Sequence, residues 1–323
     1  MQTTAIAVLA CIPALPPSAV AQDWPVRPVT MVVPFVAGGS QDVLGRIIAQ
    51  RLTETLGKPF IIENIGGAGG FTGTMRVAKA TSGGYQFLLS GVGLAYYQTV
   101  YRRLHFNAIA DFAPIGMLVD VPRVLIARKD LPADTLSEFV AYARANQSRM
   151  QSGSSGTGTP THIPCVLLSQ AMGVSITHIP YRGSAAAMQD LIGGRVDFLC
   201  ESISTAAPQI RDKNVRPIAI LAPNRSPVLS DLPTADEQGL KGVEASAWSA
   251  FYFPKGTPDA IVRRLNGALS DTLDEPGIRS RLEELGFEVV PPERRTPEFL
   301  AKFLTEEIER WSKPILAAGI NGD

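Results

Sequence analysis

The run Pro28–Phe35, Pro-Val-Thr-Met-Val-Val-Pro-Phe, is short, continuously apolar and rich in β-branched residues. A strand with one wet face alternates polar and apolar residues. One buried on both faces does not, so this run describes a parallel strand covered on each side. Ala37-Gly38-Gly39-Ser40 follows, then Val43, Leu44, Ile47, Ile48, Leu52 and Leu56 at helical spacing, with Gly57-Lys58-Pro59 as the stop. Phe60–Glu63 reads as a second strand. Asn64–Gly73 is a glycine-rich loop opening a helix over Met75–Ala80, and Tyr85–Ser90 is a third strand. This βαβαβ order requires right-handed crossovers and parallel pairing.

The alternation resumes downstream. Strands are expected at Arg123–Ala127, Val174–Ile179, Val196–Cys200 and Arg216–Leu221, with helices at Thr135–Asn146, from Pro160 to Ala171, and at Ala185–Ile192 and Thr205–Arg211. The apolar stretch Ala247–Pro254 comes next. Helices over Pro258–Leu273 and Pro276–Leu285, a strand Glu288–Val290 and a terminal helix Pro297–Ile315 complete the chain. The βα units form two blocks that meet near Leu118–Ala127 and again near Ala219–Ser226. Two crossings describe one domain inserted into another, with two hinge segments.

Composition narrows the function. At 323 residues the chain has material for about two domains. Lys plus Arg is 30 and Asp plus Glu is 30, so the chain is neutral and lacks the basic excess of a nucleic-acid binder. Residues 1–21 carry no charged side chain. Ala5–Ile12 is apolar, and Ala19-Val20-Ala21 is a small-residue cleavage site, so a secretory signal cut after Ala21 and a periplasmic destination are expected. Val8-Leu9-Ala10-Cys11 offers a rival, a lipid anchor on Cys11. After cleavage two cysteines remain, Cys165 and Cys200, which read as buried small hydrophobes or as a disulfide.

Two strand-to-helix loops carry the candidate chemistry. The first is Pro34-Phe35-Val36-Ala37-Gly38-Gly39-Ser40-Gln41-Asp42, and the second is Gly153-Ser154-Ser155-Gly156-Thr157-Gly158-Thr159-Pro160. Helix N-termini present unpaired N–H groups and the positive end of a dipole, and glycine lets a ligand come close. One loop from each block, facing across a cleft, can clamp a carboxylate with neutral donors. Asp42 serves the helix start or the ligand. His162 donates to a ligand or ties the second loop down. Tyr181, Arg182 and Gly183 follow a strand and precede a helix, so Arg182 can pair with an anion. Ser90 and Gly91 end the third strand and are expected to line the same cleft. Glu201 ends another strand, as a surface acid or a partner for a ligand hydroxyl or amine. Trp248 and Trp311 read as core anchors.

No Walker motif, nucleophile elbow or metal-ligand spacing occurs, and Gly66-Gly67-Ala68-Gly69-Gly70 lacks the spacing of a dinucleotide fingerprint. His105 and His178 read as structural. No cofactor and no metal are expected.

The ordered set of motifs resembles a family. Trp24-Pro25 through Val32-Val33-Pro34-Phe35-Val36-Ala37-Gly38-Gly39 with Asp42, then Glu63-Asn64 and Gly67-Ala68-Gly69-Gly70, are its opening. Asp111-Phe112-Ala113-Pro114-Ile115, Gly156–His162, Pro180-Tyr181-Arg182-Gly183, Asp190–Asp197 and Thr296-Pro297-Glu298-Phe299 follow in order, with Glu307, Trp311 and Gly319. Together they are similar to the receptors of tripartite tricarboxylate transporters, the Bug receptors, across the whole mature chain.

The resemblance implies a two-lobe α/β periplasmic binding fold of Venus-flytrap type, with mixed, largely parallel sheets. Lobe one would span 22–122 plus 224–323, and lobe two 123–223. It implies a monomeric receptor, not an enzyme, that passes a small organic carboxylate to membrane permease subunits. In the family the carboxylate is held by loops matching Phe35–Ser40 and Gly153–Thr159. Val36, Ser40-Gln41 and Glu201-Ser202 depart from the family's usual residues, the last from an Asp-Asn pair. Two other functions are weighed against transport: sensing for a membrane kinase, and an enzyme acting on a carboxylate, against which the missing nucleophile–base constellation counts.

Overall fold

The computed structural model describes residues 24–101 and 103–322; the expected signal segment and Cys11 lie outside them. In chain order the first elements are β1 (Val29–Val33), α1 (Ser40–Leu56), β2 (Phe60–Asn64), α2 (Phe71–Ala78), β3 (Gln86–Gly91), α3 (Val92–Val100) and β4 (Phe112–Val121). Then come β5 (Arg123–Arg128), α4 (Leu136–Asn146), β6 (Gln151–Ser154), α5 (Ile163–Met172), β7 (Thr177–Pro180), α6 (Ser184–Ile192), β8 (Phe198–Ser202), α7 (Ile203–Arg211) and β9 (Val215–Ile220). The chain ends with β10 (Ala247–Pro254), α8 (Asp259–Asp274), α9 (Pro276–Glu284), β11 (Glu288–Val289) and α10 (Pro297–Ala317).

These strands form two sheets, ordered β11-β4-β10-β3-β1-β2 and β7-β6-β8-β5-β9. In the first, β1 lies parallel between β2 and β3, with Val32 opposite both Glu63 and Leu88. The expected βαβαβ unit is therefore present. β10 enters antiparallel between β3 and β4. In the second sheet β6, β7 and β8 are parallel, and β5 runs against β8 and β9. Both sheets are thus mixed.

Burial explains the continuous apolar runs. On β5, Leu125 and Ala127 belong to one hydrophobic cluster with Phe139, Phe198 and Cys200, while Val124 and Ile126 belong to another with Leu191 and Ile203. Successive side chains face opposite sides of a sheet covered twice. The first sheet has one large core. In it Phe87 meets Phe251 edge-on at 4.9 Å and Trp24 meets Phe253 at 6.2 Å. Cys165 on α5 and Cys200 on β8 are buried free thiols in one cluster, as small hydrophobes would be.

Several segments differ from the sequence expectation. α3 and β4 fill a region that carried no expected element. β4 contains Pro114 and Gly116, which mask its strand pattern. The sheet absorbs Pro114 opposite Tyr252, next to an irregularity in the β10 register. The second crossing also lies later than Ala219–Ser226. Ala235, Leu240, Val243 and Ala245 pack into the second sheet's core, and Ala245 donates its N–H to Leu221. The chain returns to the first sheet only at Ala247, beside Val121.

Candidate functional site

α1, α3 and α6 each begin at a glycine, Gly39, Gly91 and Gly183, and none of the three has a side-chain cap. Their first-turn N–H groups and positive dipole ends remain available. The starts of all three helices meet at one cavity between the sheets. It is lined by Gly39, Ser40 and Gln41 from α1, Val92 from α3, and Gly183 and Ser184 from α6. Its volume of about 70 Å³ compares with roughly 10–15 Å³ needed for one water. A small organic acid is on that scale. Phe35, Val36, Pro160 and Trp248 supply apolar wall.

The two halves are in contact around it. Ser204 Oγ donates to Ser40 Oγ at 2.8 Å. A Cβ on Gly183, whose φ is +113°, would come within 2.4 Å of Val36 Cγ2. A Cβ on Gly69 would meet the Thr157 carbonyl at 2.8 Å. The two halves touch at these points, and the glycines permit so close an approach.

Asp42 holds the first loop. Its carboxylate accepts from Gly38 N–H at 2.9 Å and Arg46 Nε at 3.1 Å. Burial opposes its ionisation, but hydrogen bonds from Arg46, Gly38 and Asn64 prevail and keep the carboxyl below its usual range. Asp42 reaches the cavity wall with its carboxylate already engaged, so it positions the loop.

The second loop is braced without charge. Ser154 Oγ and Thr159 Oγ1 both donate to the Gly156 carbonyl, and Thr161 Oγ1 accepts from Ser155 N–H at 2.8 Å. His162 Nδ1 accepts from Gly158 N–H, and its ring stacks on His178 at 3.8 Å. Burial, then the neighbouring His178, pushes His162 down to about 3; burial pushes His178 down to about 4. Both rings are neutral near pH 7, and His162 ties the loop down instead of reaching the cavity.

Other candidates divide between cavity and scaffold. Phe35, Val36, Gly39, Ser40, Ser155, Gly183 and Glu201 line the inner cavity. Gly156, Thr157, Tyr181 and Arg182 line an outer chamber of about 650 Å³ that shares Phe35, Val36, Ser155 and Gly183 with it. Tyr181 donates to Asp190 at 2.8 Å, and burial followed by that carboxylate pushes its phenol up to about 12. Ala37, Gly38, Ser90, Gly91, Gly153, Ser154, Gly158, Thr159 and His162 line neither space. Ser90 and Gly91 are enclosed against β10, where a Cβ on Gly91 would strike the Trp248 carbonyl, and Gly158 packs on Val100.

Sequence reasoning missed several cavity residues. Trp248 is buried as a core anchor, its Nε1 donating to Glu307 at 2.8 Å, yet it also forms cavity wall. Thr161 and Ser202 entered the sequence reading only within the family motifs, Ser202 through the Glu201-Ser202 departure, and neither carried a binding role there. Arg123 had one, a lone charge inside the run Val121-Pro122-Arg123-Val124-Leu125-Ile126. It lies on the cavity floor, 5% exposed, beside Glu201 at 3%. Nη1 is 3.9 Å from Glu201 Oε1. That oxygen already accepts from Ser202 N–H at 2.7 Å and Ser202 Oγ at 3.1 Å. Burial pulls the Arg123 ionisation downward, against the support of Glu201.

A cleft between two mixed α/β sheets, lined by helix N-termini from both, defines a two-lobed solute-binding receptor of the periplasmic binding protein type. Comparisons with known proteins agree. The description of the tripartite tricarboxylate transporter family receptor matches residues 44–320. A UPF0065 protein of Agrobacterium vitis, from the TAR-I ttuE-ttuC' intergenic region, is 40% identical over 99% of this chain and 92% of its own. The solved periplasmic binding protein BugD superposes with a TM-score of 0.89 at 37% identity, over 92% of this chain and 99% of that one. MatC from Rhodopseudomonas palustris with bound malate gives 0.87 at 38%, over 90% and 100%. Rpa4515 of R. palustris with adipate gives 0.88 at 35%, over 92% and 99%. The chain belongs to the tripartite tricarboxylate transporter receptor family. It is a solute-binding receptor and not an enzyme.

Proposed function

We propose that the chain, exported to the periplasm, captures a small organic carboxylate in the inner cavity and delivers it to the membrane subunits of a tripartite tricarboxylate-type transporter. The observation that carries this reading is the convergence of uncapped helix N-termini from both sheets on one cavity. Such N–H groups favour a negative charge without a fixed countercharge, which suits an anion that must be released again. Bound malate and adipate in MatC and Rpa4515 support the same ligand class.

The ligand-binding set is Phe35, Val36, Gly39, Ser40, Ser155, Thr161, Gly183 and Ser184, with Gly156, Thr157, Tyr181 and Arg182 at the entrance. Lobe two spans about 123–245, and the hinge is formed where Pro122 and Ser246 cross between sheets. Ligand bridging the lobes stabilises the closed form over an open one. Thermal unfolding of the mature chain against mono-, di- and tricarboxylates tests the reading. A ligand at 100 times its Kd adds about 2.7 kcal/mol, which raises Tm by several degrees. A panel in which amines or sugars stabilise and carboxylates do not would overturn it.

A further inference from the structure

Arg123 is chemically unfinished. A guanidinium carries five N–H donors, and buried donors are almost always paired. Among the described residues the Arg123 guanidinium donates no hydrogen bond: Nε is buried without a partner, and Glu201 Oε1 stands 3.9 Å from Nη1, beyond bonding distance. Glu201 supplies a compensating charge, but its Oε1 is committed to Ser202. Tyr96 and the thiols of Cys165 and Cys200 are the other groups near enough to act on the cation. None of them offers two acceptors side by side. A carboxylate does, and matches the guanidinium fork with two parallel hydrogen bonds.

We infer that Arg123 is the specificity-determining residue of the cleft: it takes the second carboxylate of a dicarboxylate whose first carboxylate lies at the N-termini of α1, α3 and α6. The inference rests on the receptor reading and sharpens it. Neutral backbone donors hold one end of the ligand and accept any carboxylate. The floor then discriminates, because a monocarboxylate of the same length would leave the guanidinium unpaired and place methyl against it. Both the buried position of Arg123 and its place on the cavity lining follow from β5, which starts at the crossing between the lobes.

The test is calorimetry of the mature chain with linear dicarboxylates from malonate to pimelate, each against the monocarboxylate of equal carbon number. The preferred dicarboxylate is expected to bind at least about 30-fold more tightly than its partner. The double variant Arg123→Gln/Glu201→Gln removes both charges together, so neither is left buried alone. It should lose that preference, dicarboxylate affinity falling about 30-fold further than monocarboxylate affinity. Arg123→Lys keeps the charge without the fork and serves if the double variant fails to fold. It should weaken only the dicarboxylate, by about tenfold. Equal binding of both classes by the wild-type chain would overturn the inference alone. Equal loss of both in the variants would assign Arg123 to the scaffold. Binding of no carboxylate by the wild-type chain would remove the receptor reading as well, a result distinct from either.

Discussion

The two loops that close on the cavity are built by opposite means. Loop 34–42 is held by one ionised carboxylate, Asp42, between Gly38 and Arg46. Loop 153–162 is held by hydroxyls bonded to its own backbone and by two stacked neutral imidazoles. The first solution neutralises its charge within the loop, by Gly38 N–H and Arg46, while Gly39, Ser40 and Gln41 line the cavity. The second avoids charge altogether. The two halves therefore respond differently to substitution and to acid.

The largest expected effect comes from the contact between the halves. Gly183→Ala adds a Cβ at a φ of +113° and 2.4 Å from Val36 Cγ2. Strain and overlap of this kind cost about 1–3 kcal/mol each, so ligand affinity should fall about 100-fold in calorimetry. An unchanged Kd would mean that Val36 yields and that closure is softer than it looks. Next is Asp42→Asn, which loses charge-assisted hydrogen bonds worth about 1.5–3 kcal/mol. It should weaken binding by about 10- to 100-fold while the second loop is undisturbed. Loss of amide protection in both loops by hydrogen exchange would erase the distinction between them.

Acid separates the halves by mechanism. Asp42 is depressed in the folded state, so its stabilisation is present above the unfolded carboxyl range and is lost only as pH falls below about 4. His162 is also depressed, to about 3. Its unfolded form takes up a proton near pH 6.5 while the folded form does not. Stability therefore declines as pH falls from about 6.5 toward 4, by up to about 1.4 kcal/mol per pH unit for His162. His178 adds less, being only half-buried. Denaturant midpoints for His162→Gln should vary less between pH 6.5 and 4 than those of the parent. Parallel curves would place the acid sensitivity elsewhere. The smallest effect belongs to Ser204→Ala, which removes the Ser204–Ser40 hydrogen bond across the cleft. A factor of about 2–10 in Kd is expected, with Tm of the free chain unchanged.

Much of this architecture was legible because the signals are local. β1 and β5 announce burial on both faces through runs such as Met31-Val32-Val33 and Val124-Leu125-Ile126, and the helix starts are marked by Gly39 and Gly183. What escaped depends on partners distant in sequence. β10 could be read as apolar, but its antiparallel insertion between β3 and β4 is fixed by aromatic packing of Phe251 and Phe253 on Phe87. Residues 224–245 carry little periodicity, and only contact with the second core shows to which sheet they belong. At the site, hydroxyls of the second loop looked available because their backbone acceptors could not be seen. Arg123 was overlooked for the converse reason: a charge in a strand is ordinarily solvated, and burial alone makes it exceptional.

The crossing between the sheets has a mechanical consequence. Val121 pairs with Ala247, and Pro122 leads directly into Arg123, so the proposed hinge and the cavity floor are consecutive in the chain. A point beside a fulcrum travels little as the arms swing, whereas Val36 and Gly183, farther out, travel most. The floor would keep its shape in the open form, ready for a ligand that has passed the entrance residues Tyr181 and Arg182. Entry and escape would both be governed by the tips of the arms, and recognition by the fulcrum.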